Sequence, residues 1–594
     1  MSAIITALDN HTKKRLGENA HIEHGWSHQL SEMIVQFFFQ LVRSDEQSDL
    51  ERQLNNILGR LQGHETSEEF SIMYRLIGQT RDLVSGKGER DLTYMQIYVW
   101  YCHGYTDLAQ FALKRCVDCN NEHPYGSWAD IKYFSNYICK RETHNHELID
   151  YACSLMVGQL VKDWDNYKCA TCQNLSLAAR WAPREKSKFA WLFKKMAIIW
   201  STSKDSFQYT TYQNTQPWKW IETAKTIDQK KKVNLKIKIH WKKIFTTLNK
   251  ELKTPQINFC ENKWRELDFN NVTSQTLRKN KLSIRNQIKI GKDIVERDHI
   301  TEERKADRIA CSVNYQAHID ANKGGDLTKK IHGKRCAPYE LVSAALKRTD
   351  DETTNLQWLS NSTNNGALGD MLAMVDTSGS MECDNSIPLH NAIGLGIRIA
   401  EKCNSAFSNR IMTFDANPQW VQLNETSTFC EKARKVEESS WGMNTNFYKA
   451  LDMILQVCVE NKLQPHEVNK MVLVVLSDMQ IDPRWAGNDH TTMDTMYEQI
   501  EKMYNMAGLI AVGQPYTPPH IVFFNLRKTQ GFPVLSSQKN VTMLSGYSPA
   551  LLNIFSVKGL AGLKEFTPFT MLKDIVSNDR YEAMAQRIIN NYGA

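Results

Sequence analysis

The apolar positions along this chain follow two different periods. From Leu30 to Leu41, apolar residues recur at Leu30, Ile34, Phe37, Phe38 and Leu41, the spacing of one helix face, with Ser27 as the N-cap candidate. The same spacing predicts helices at about 47–62, 67–84, 91–103, 106–121, 128–140, 146–162, 172–181 and 185–202, joined by short polar turns. Successive short helices with short links predict an α-helical repeat, a HEAT-like solenoid or ring without a clean sequence period.

After residue 368 the pattern changes. Strand patterns at 371–376, 410–414, 471–477, 520–525 and 541–544, the first of them unbroken and apolar from Met371 to Val375, alternate with helical patterns at 389–403, 446–459, 491–506 and 548–555. Strands that are apolar throughout are buried on both faces, and their alternation with helices predicts a doubly wound parallel α/β sheet. The expected organisation is a helical module over 1–348, a polar linker over 349–368, an α/β domain over 369–560 and C-terminal helices over 561–594 that dock back on the core.

One segment departs from both patterns. Over Lys230 to Lys253, Val233, Leu235, Ile237, Ile239 and Trp241 alternate with polar or basic residues, the spacing of a strand or extended arm, before a helical period resumes at Ile244. A helix end with snorkelling lysines is the alternative.

Composition narrows the class. The 594 residues are 42% hydrophobic and 23% charged, ordinary values for a globular chain. The N-terminus has no apolar signal core and no stretch approaches the roughly twenty residues of a membrane span, so an intracellular, cytoplasmic protein is expected, with a virion as the alternative place for a viral one. The cysteines read as reduced, mostly core thiols. The pairs Cys116/Cys119 and Cys169/Cys172 lack the turn residues of a zinc ribbon.

The net charge of +7 hides a polarised distribution. Residues 151–350 carry 39 Lys and Arg against 20 Asp and Glu, whereas acidic residues exceed basic ones on both sides. A basic segment of this kind concentrates polyanions, and RNA is the expected partner. The candidate contacts are Lys230, Lys231, Lys232, Lys236, Lys238, Lys242 and Lys243, with Trp241 as a stacking platform.

Candidate chemistry lies where the first buried strand ends. Asp376, Ser378 and Ser380 put a carboxylate and two hydroxyls on one turn that Gly379 makes possible. Thr445, before a helix, and Asp478, after a second buried strand, add two more oxygens in the crevice where adjacent parallel strands end. Hard oxygen donors of this kind suit Mg²⁺ or Ca²⁺. There is no P-loop and no nucleophile with a positioned base, so no enzymatic activity is expected. His390 and Cys383 lie close to the turn in sequence, and proximity alone does not make them a catalytic pair.

The order D-x-S-x-S, then Thr, then Asp resembles the metal-ion-dependent adhesion site (MIDAS) of the von Willebrand factor type A domain. That resemblance implies a bound divalent cation with one position open to water or to a partner's carboxylate. A helical module followed by such a domain resembles the Ro-type proteins, whose helical part is the TROVE ring. It also resembles an uncharacterised domain family of plants, fungi and large DNA viruses, through Gly86–Arg90, Tyr125–Asp130, Leu177–Trp181, Val375–Met381, Trp441–Phe447, Leu476–Asp478, Asn525–Arg527 and Leu544–Ser548. The Ro resemblance implies non-enzymatic binding of single-stranded RNA ends or structured small RNAs, and a ribonucleoprotein. A scaffold that engages an acidic protein through the metal is the alternative.

Overall fold

The computed structural model describes residues 14–119, 122–169, 175–202, 217–291, 293–348, 350–404, 406–439, 445–482, 494–555 and 562–593. The chain folds into two compact units, one formed by residues 1–104 together with 332–594 and the other by the intervening 105–331. The division does not coincide with 348/349: the first four helices belong with the sheet.

The first unit begins with a short antiparallel ribbon, β1 (Lys14–Leu16) and β2 (Ile22–His24), which the apolar pattern did not signal. Four helices follow: α1 (Leu30–Gln40), α2 (Ser48–Leu61), α3 (Glu68–Arg81) and α4 (Asp91–Cys102). Helix α1 starts where its apolar pattern does, at Leu30, but Ser27 is not its cap. Its hydroxyl instead accepts from the Gln29 amide at 3.1 Å, and its own amide donates to the Gln36 side chain.

The second unit holds α5 (Thr106–Val117), α6 (Ala129–Arg141), α7 (Glu147–Lys168), α8 (Ala178–Trp181), α9 (Ala190–Thr202), α10 (Pro217–Thr223), α11 (Ile227–Glu251), α12 (Pro255–Glu261), α13 (Ser274–Ile284) and α14 (Glu302–Lys323). Between α13 and α14 lies a two-stranded ribbon, β3 (Gln287–Ile290) and β4 (Asp293–Glu296). Ala178 and Ala179 are small enough to let α8 meet α11 closely, and the Ala179 carbonyl accepts from Asn249 Nδ2 at 2.7 Å.

The chain then returns to the first unit with α15 (Pro338–Leu346) and α16 (Asp351–Ser362). The expected linker is therefore a helix. Asp350 caps it by accepting from the Thr353 amide, and Trp358 stacks on Phe429 with ring centroids 3.9 Å apart. The buried Arg398 lies over the Trp358 ring and donates to Asn361 and Asn365.

The remaining elements are β5 (Met371–Asp376), α17 (Cys383–Lys402), β6 (Arg410–Phe414), β7 (Gln419–Gln422), α18 (Phe429–Glu438), α19 (Phe447–Glu460), α20 (Pro465–Val468), β8 (Val472–Ser477), α21 (Met496–Val512), β9 (His520–Asn525), β10 (Val541–Ser545), α22 (Pro568–Val576) and α23 (Glu582–Tyr592). Six strands form one sheet in the order β10-β9-β8-β5-β6-β7, parallel except for the edge strand β7. Every residue of β5, β8, β9 and β10 is buried, as continuous apolar runs require. Because β6 follows β5 on one side and β8 lies on the other, the sheet reverses its direction of winding beside β5, and that is where its loops diverge into a crevice.

Helices α22 and α23 pack on α3, and α22 also packs on α1. The Gly86–Arg90 loop ties these layers to the sheet. Lys87, fully buried, donates to the Phe38 carbonyl at 2.8 Å, the Leu41 carbonyl at 3.1 Å and the Ser545 hydroxyl, so one ammonium caps the end of α1 and holds the end of β10. Glu89 accepts from two of the three guanidinium nitrogens of Arg43, each at 3.0 Å. Gly86 has no alternative residue, since a Cβ there would lie 2.0 Å from the Gln79 carbonyl oxygen. Lys87→Ala removes all three of these bonds inside the unit, although the Phe38 carbonyl keeps the Leu41 amide and the Ser545 hydroxyl as donors, and is expected to cost about 3 kcal/mol. A fall in the urea midpoint at unchanged slope reads it, and an unchanged midpoint removes the loop's tying role.

Candidate cation site and basic helix

Strand β5 ends at Asp376, and the chain turns at once through Ser378 and Ser380. Asp376 Oδ1 accepts from the Ser378 amide at 3.0 Å and from the Ser378 hydroxyl at 2.6 Å, and the Ser378 and Ser380 hydroxyls lie 3.1 Å apart. Gly379 is not required by the turn: its φ is not positive, and a Cβ would meet nothing within 4 Å. The unusual backbone comes just after. Asp384, Asn385 and Ser386 are all left-handed, with φ of 50°, 61° and 61°, a run that L-residues adopt at a cost of roughly 1–2 kcal/mol each.

Asp478 follows β8, the neighbour of β5, and is fully buried, as is Asp376. The Ser477 hydroxyl donates to Asp376 Oδ2, linking the two strand ends directly. Thr445 is also buried. Its amide donates to Asp482 Oδ2 at 2.7 Å, its carbonyl accepts from the Asp482 amide, and the next amide, Asn446, donates to the Asp415 carbonyl. These bonds hold Thr445 between the loops that leave β6 and β8. Asp415, at the end of β6, accepts from the Asn417 amide through Oδ1 at 2.7 Å. Of the predicted loop Trp441–Phe447, residues 441–444 lie outside the described residues.

The electrostatics of this cluster are unbalanced. Burial, and secondarily the Asp478 carboxylate, pushes the Asp376 carboxyl up to about 7, while hydroxyl and amide hydrogen bonds pull the other way. Among the described residues no Lys or Arg pairs with Asp376. Asp478 has a partner the sequence did not reveal: Arg527, after β9, donates from Nε to Asp478 Oδ2 at 2.9 Å and from its terminal nitrogen to Glu18 at 2.7 Å. Glu18 stands in the turn between β1 and β2, whose backbone amide also bonds Gln480. The only sequence signal for these contacts is that Ser477 and Arg527 sit directly after buried strands.

Two carboxylates and three hydroxyls with one uncompensated buried charge fit a hard divalent cation by donor chemistry. Among the described residues no group of three or more His, Cys, Asp or Glu side chains gathers to hold a metal ion. Cys116 and Cys119 are buried, Cys169 is exposed, and Cys172 lies outside the described residues. Burial pushes Cys383 up and His390 down to about 4, so they stand as a thiol and a neutral imidazole.

The basic segment is helical, which corrects the extended arm expected over 233–241. Helix α11 runs unbroken from Ile227 to Glu251, opened by a capping box in which Thr226 and Gln229 satisfy each other's backbone amides. Its buried face is Ile237, Trp241, Ile244, Phe245 and Leu248, a helical spacing, while Leu235 and Ile239 are 60% and 56% exposed. Trp241 is no stacking platform. It is buried against Trp200 and Phe245, with ring centroids 5.8 and 6.1 Å away. Lys230, Lys231, Lys232, Lys236, Lys242 and Lys243 are exposed and Lys238 half-exposed. The Lys236 ammonium lies 3.9 Å from the centroid of the Trp220 ring.

Among the described residues no helix is long and apolar enough to cross a membrane. Residues 370–587, from the start of β5 into α23, match the model of a domain of unknown function, DUF7788. Over 558 residues the chain is 25% identical to the uncharacterized protein L728 of Acanthamoeba polyphaga mimivirus, an alignment covering 91% of this chain and 84% of that protein. Among solved structures, the crystal structure of the Deinococcus radiodurans RO (RSR) protein aligns over 89% of this chain and 99% of its own, at 10% identity and a TM-score of 0.33.

Proposed function

We propose that this chain is a non-enzymatic, Ro-like RNA-binding protein in which a basic helical unit holds the nucleic acid and a von Willebrand factor type A-like domain holds a divalent cation. The observation that carries the RNA reading is the division of charge between the two units. Residues 105–331 hold 40 Lys and Arg against 25 Asp and Glu, whereas the rest of the chain holds 33 against 41. Segregation of this size raises the local concentration of a polyanion at one unit and repels it from the other.

The type A-like reading is supported by the six-stranded sheet with the D-x-S-x-S turn after a central strand and Asp478 after its neighbour. Asp376, Ser378, Ser380, Thr445 and Asp478 would hold Mg²⁺, with Ca²⁺ as the alternative. Such an ion supplies a Lewis-acidic position for an outside oxygen. The protein residues themselves keep Asp376 desolvated and orient it through Ser378 and Ser477.

The test is filter binding of nuclease-treated protein to a structured RNA with a single-stranded 3′ tail, at several salt concentrations with and without EDTA. Tight binding is expected, its log–log salt slope steepening by roughly 0.7 to 0.9 per phosphate neutralised. Absence of binding at low salt overturns the RNA reading and turns attention to an acidic protein at the cation site.

A further inference from the structure

Seen down α11, at about 100° per residue, eight of its exposed or half-exposed side chains fall into three lines. Lys231, Lys238 and Lys242 form one line, and Lys232, Lys236 and Lys243 another, about 120° away. Midway between them run Leu235 and Ile239, an aliphatic pair left in solvent on a helix whose opposite face is buried from Ile237 to Asn249. A face of two cationic rails and an apolar ridge, about 18 Å long from Lys231 to Lys243, has no partner within the described residues beyond Asp228, 3.8 Å from Lys231, and the Trp220 ring under Lys236.

We propose that this face binds double-stranded RNA, lying along the shallow minor groove with one lysine rail on each flanking phosphate backbone. The inference rests on the RNA reading above and names its ligand class and site. Three observations select a duplex. Two parallel rails match two backbones, whereas a single strand offers one. A single strand also needs aromatic platforms for its bases, and here Trp241 is buried while Trp220 is covered by Lys236 and packed beside His240. Finally, from Ile237 onward α11 is embedded on one side, so that stretch of it cannot enter a deep groove. The A-form minor groove is wide and shallow and is recognised by shape and backbone contacts. Leu235 and Ile239 then lie against the groove floor, where they need no specific base.

The experiment is fluorescence anisotropy of the full chain with a labelled blunt RNA duplex of 20 base pairs, its single strand, and the DNA duplex of the same sequence. Phosphatidylserine vesicles are the competitor. The duplex RNA is expected to bind at least tenfold more tightly than the single strand. Replacing either rail, as Lys231→Gln/Lys238→Gln/Lys242→Gln or Lys232→Gln/Lys236→Gln/Lys243→Gln, is expected to reduce affinity at least tenfold and flatten the log–log salt slope by about 2 to 3. Leu235→Ser/Ile239→Ser is expected to narrow the preference for RNA over DNA duplex. These positions are exposed or half-exposed, and unchanged circular dichroism and melting confirm that the variants fold. Equal or tighter binding of the single strand, indifference to the rails, or displacement of RNA by the vesicles overturns the duplex proposal while the RNA reading stands. Failure of every RNA to bind overturns both.

Discussion

Arg580→Ala is expected to lower the unfolding free energy by about 3–5 kcal/mol, because it strips the counter-ion from a carboxylate with no access to water. Asp82, at the end of α3, is 0% exposed and receives both guanidinium nitrogens of Arg580 at 2.7 Å. The Tyr581 hydroxyl and the Val84 and Ser85 amides complete its shell. Removing the arginine leaves the amides and the attraction of the neighbouring Arg335 in place but takes away the paired cation, which is the costly half of breaking a buried pair. A control is built into the same unit: Lys539 and Glu565 form an ion pair that is 71% and 78% exposed, and Lys539→Ala should change stability by less than about 1 kcal/mol. Urea unfolding of both variants compares them. Equal midpoints would show that the Asp82 cluster does not hold the C-terminal segment to α3.

The second large effect concerns Asp376. Its carboxyl is raised from 3.8 to about 7 by burial and by Asp478, so the folded cation-free protein binds a proton that the unfolded chain has already lost. Between about pH 4 and pH 7 the native state therefore holds more protons, and its stability must fall as pH rises, by an amount of order 4 kcal/mol for a shift of this size. Above pH 7 the penalty is present in full. Asp376→Asn is expected to remove the dependence and to raise the melting temperature of EDTA-treated protein at pH 8. Mg²⁺ is expected to raise the melting temperature of the parent protein at pH 8 by neutralising the same charge, and to leave Asp376→Ala unchanged. A parent protein whose melting is indifferent to both pH over this range and to Mg²⁺ would remove the electrostatic basis for the site.

What could be read in advance follows from how locally each feature is determined. Strands β5 and β8 were legible because burial on both faces forces a continuous apolar run, and a carboxylate at the end of each run stands out. Helix α11 was misread because Leu235 and Ile239 interleave with Ile237 and Trp241 to imitate a strand. Two of those four residues face solvent, so the alternation carries no burial information. The capping box at Thr226 and Gln229 was the better signal. Polar composition hid α16, whose helix is fixed by a cap at Asp350 and one large anchor at Trp358. No local pattern announces Arg527, because its value lies in reaching Asp478, 49 residues away, from an adjacent strand end.

The discontinuity of the first unit also bears on how the protein is made. Residues 105–331 are contiguous and can begin folding as they leave the ribosome, but α1 to α4 must wait for their sheet and for α22 and α23. Asp82 and Arg580 are 498 positions apart, and at about 5–20 residues per second that interval is roughly 25–100 seconds of synthesis. Throughout it, the faces of α1 and α3 that later meet β10, α22 and α23 stand uncovered in the nascent chain. Yield in a cell should thus depend on what shields those helices during translation at least as much as on the stability of the finished protein.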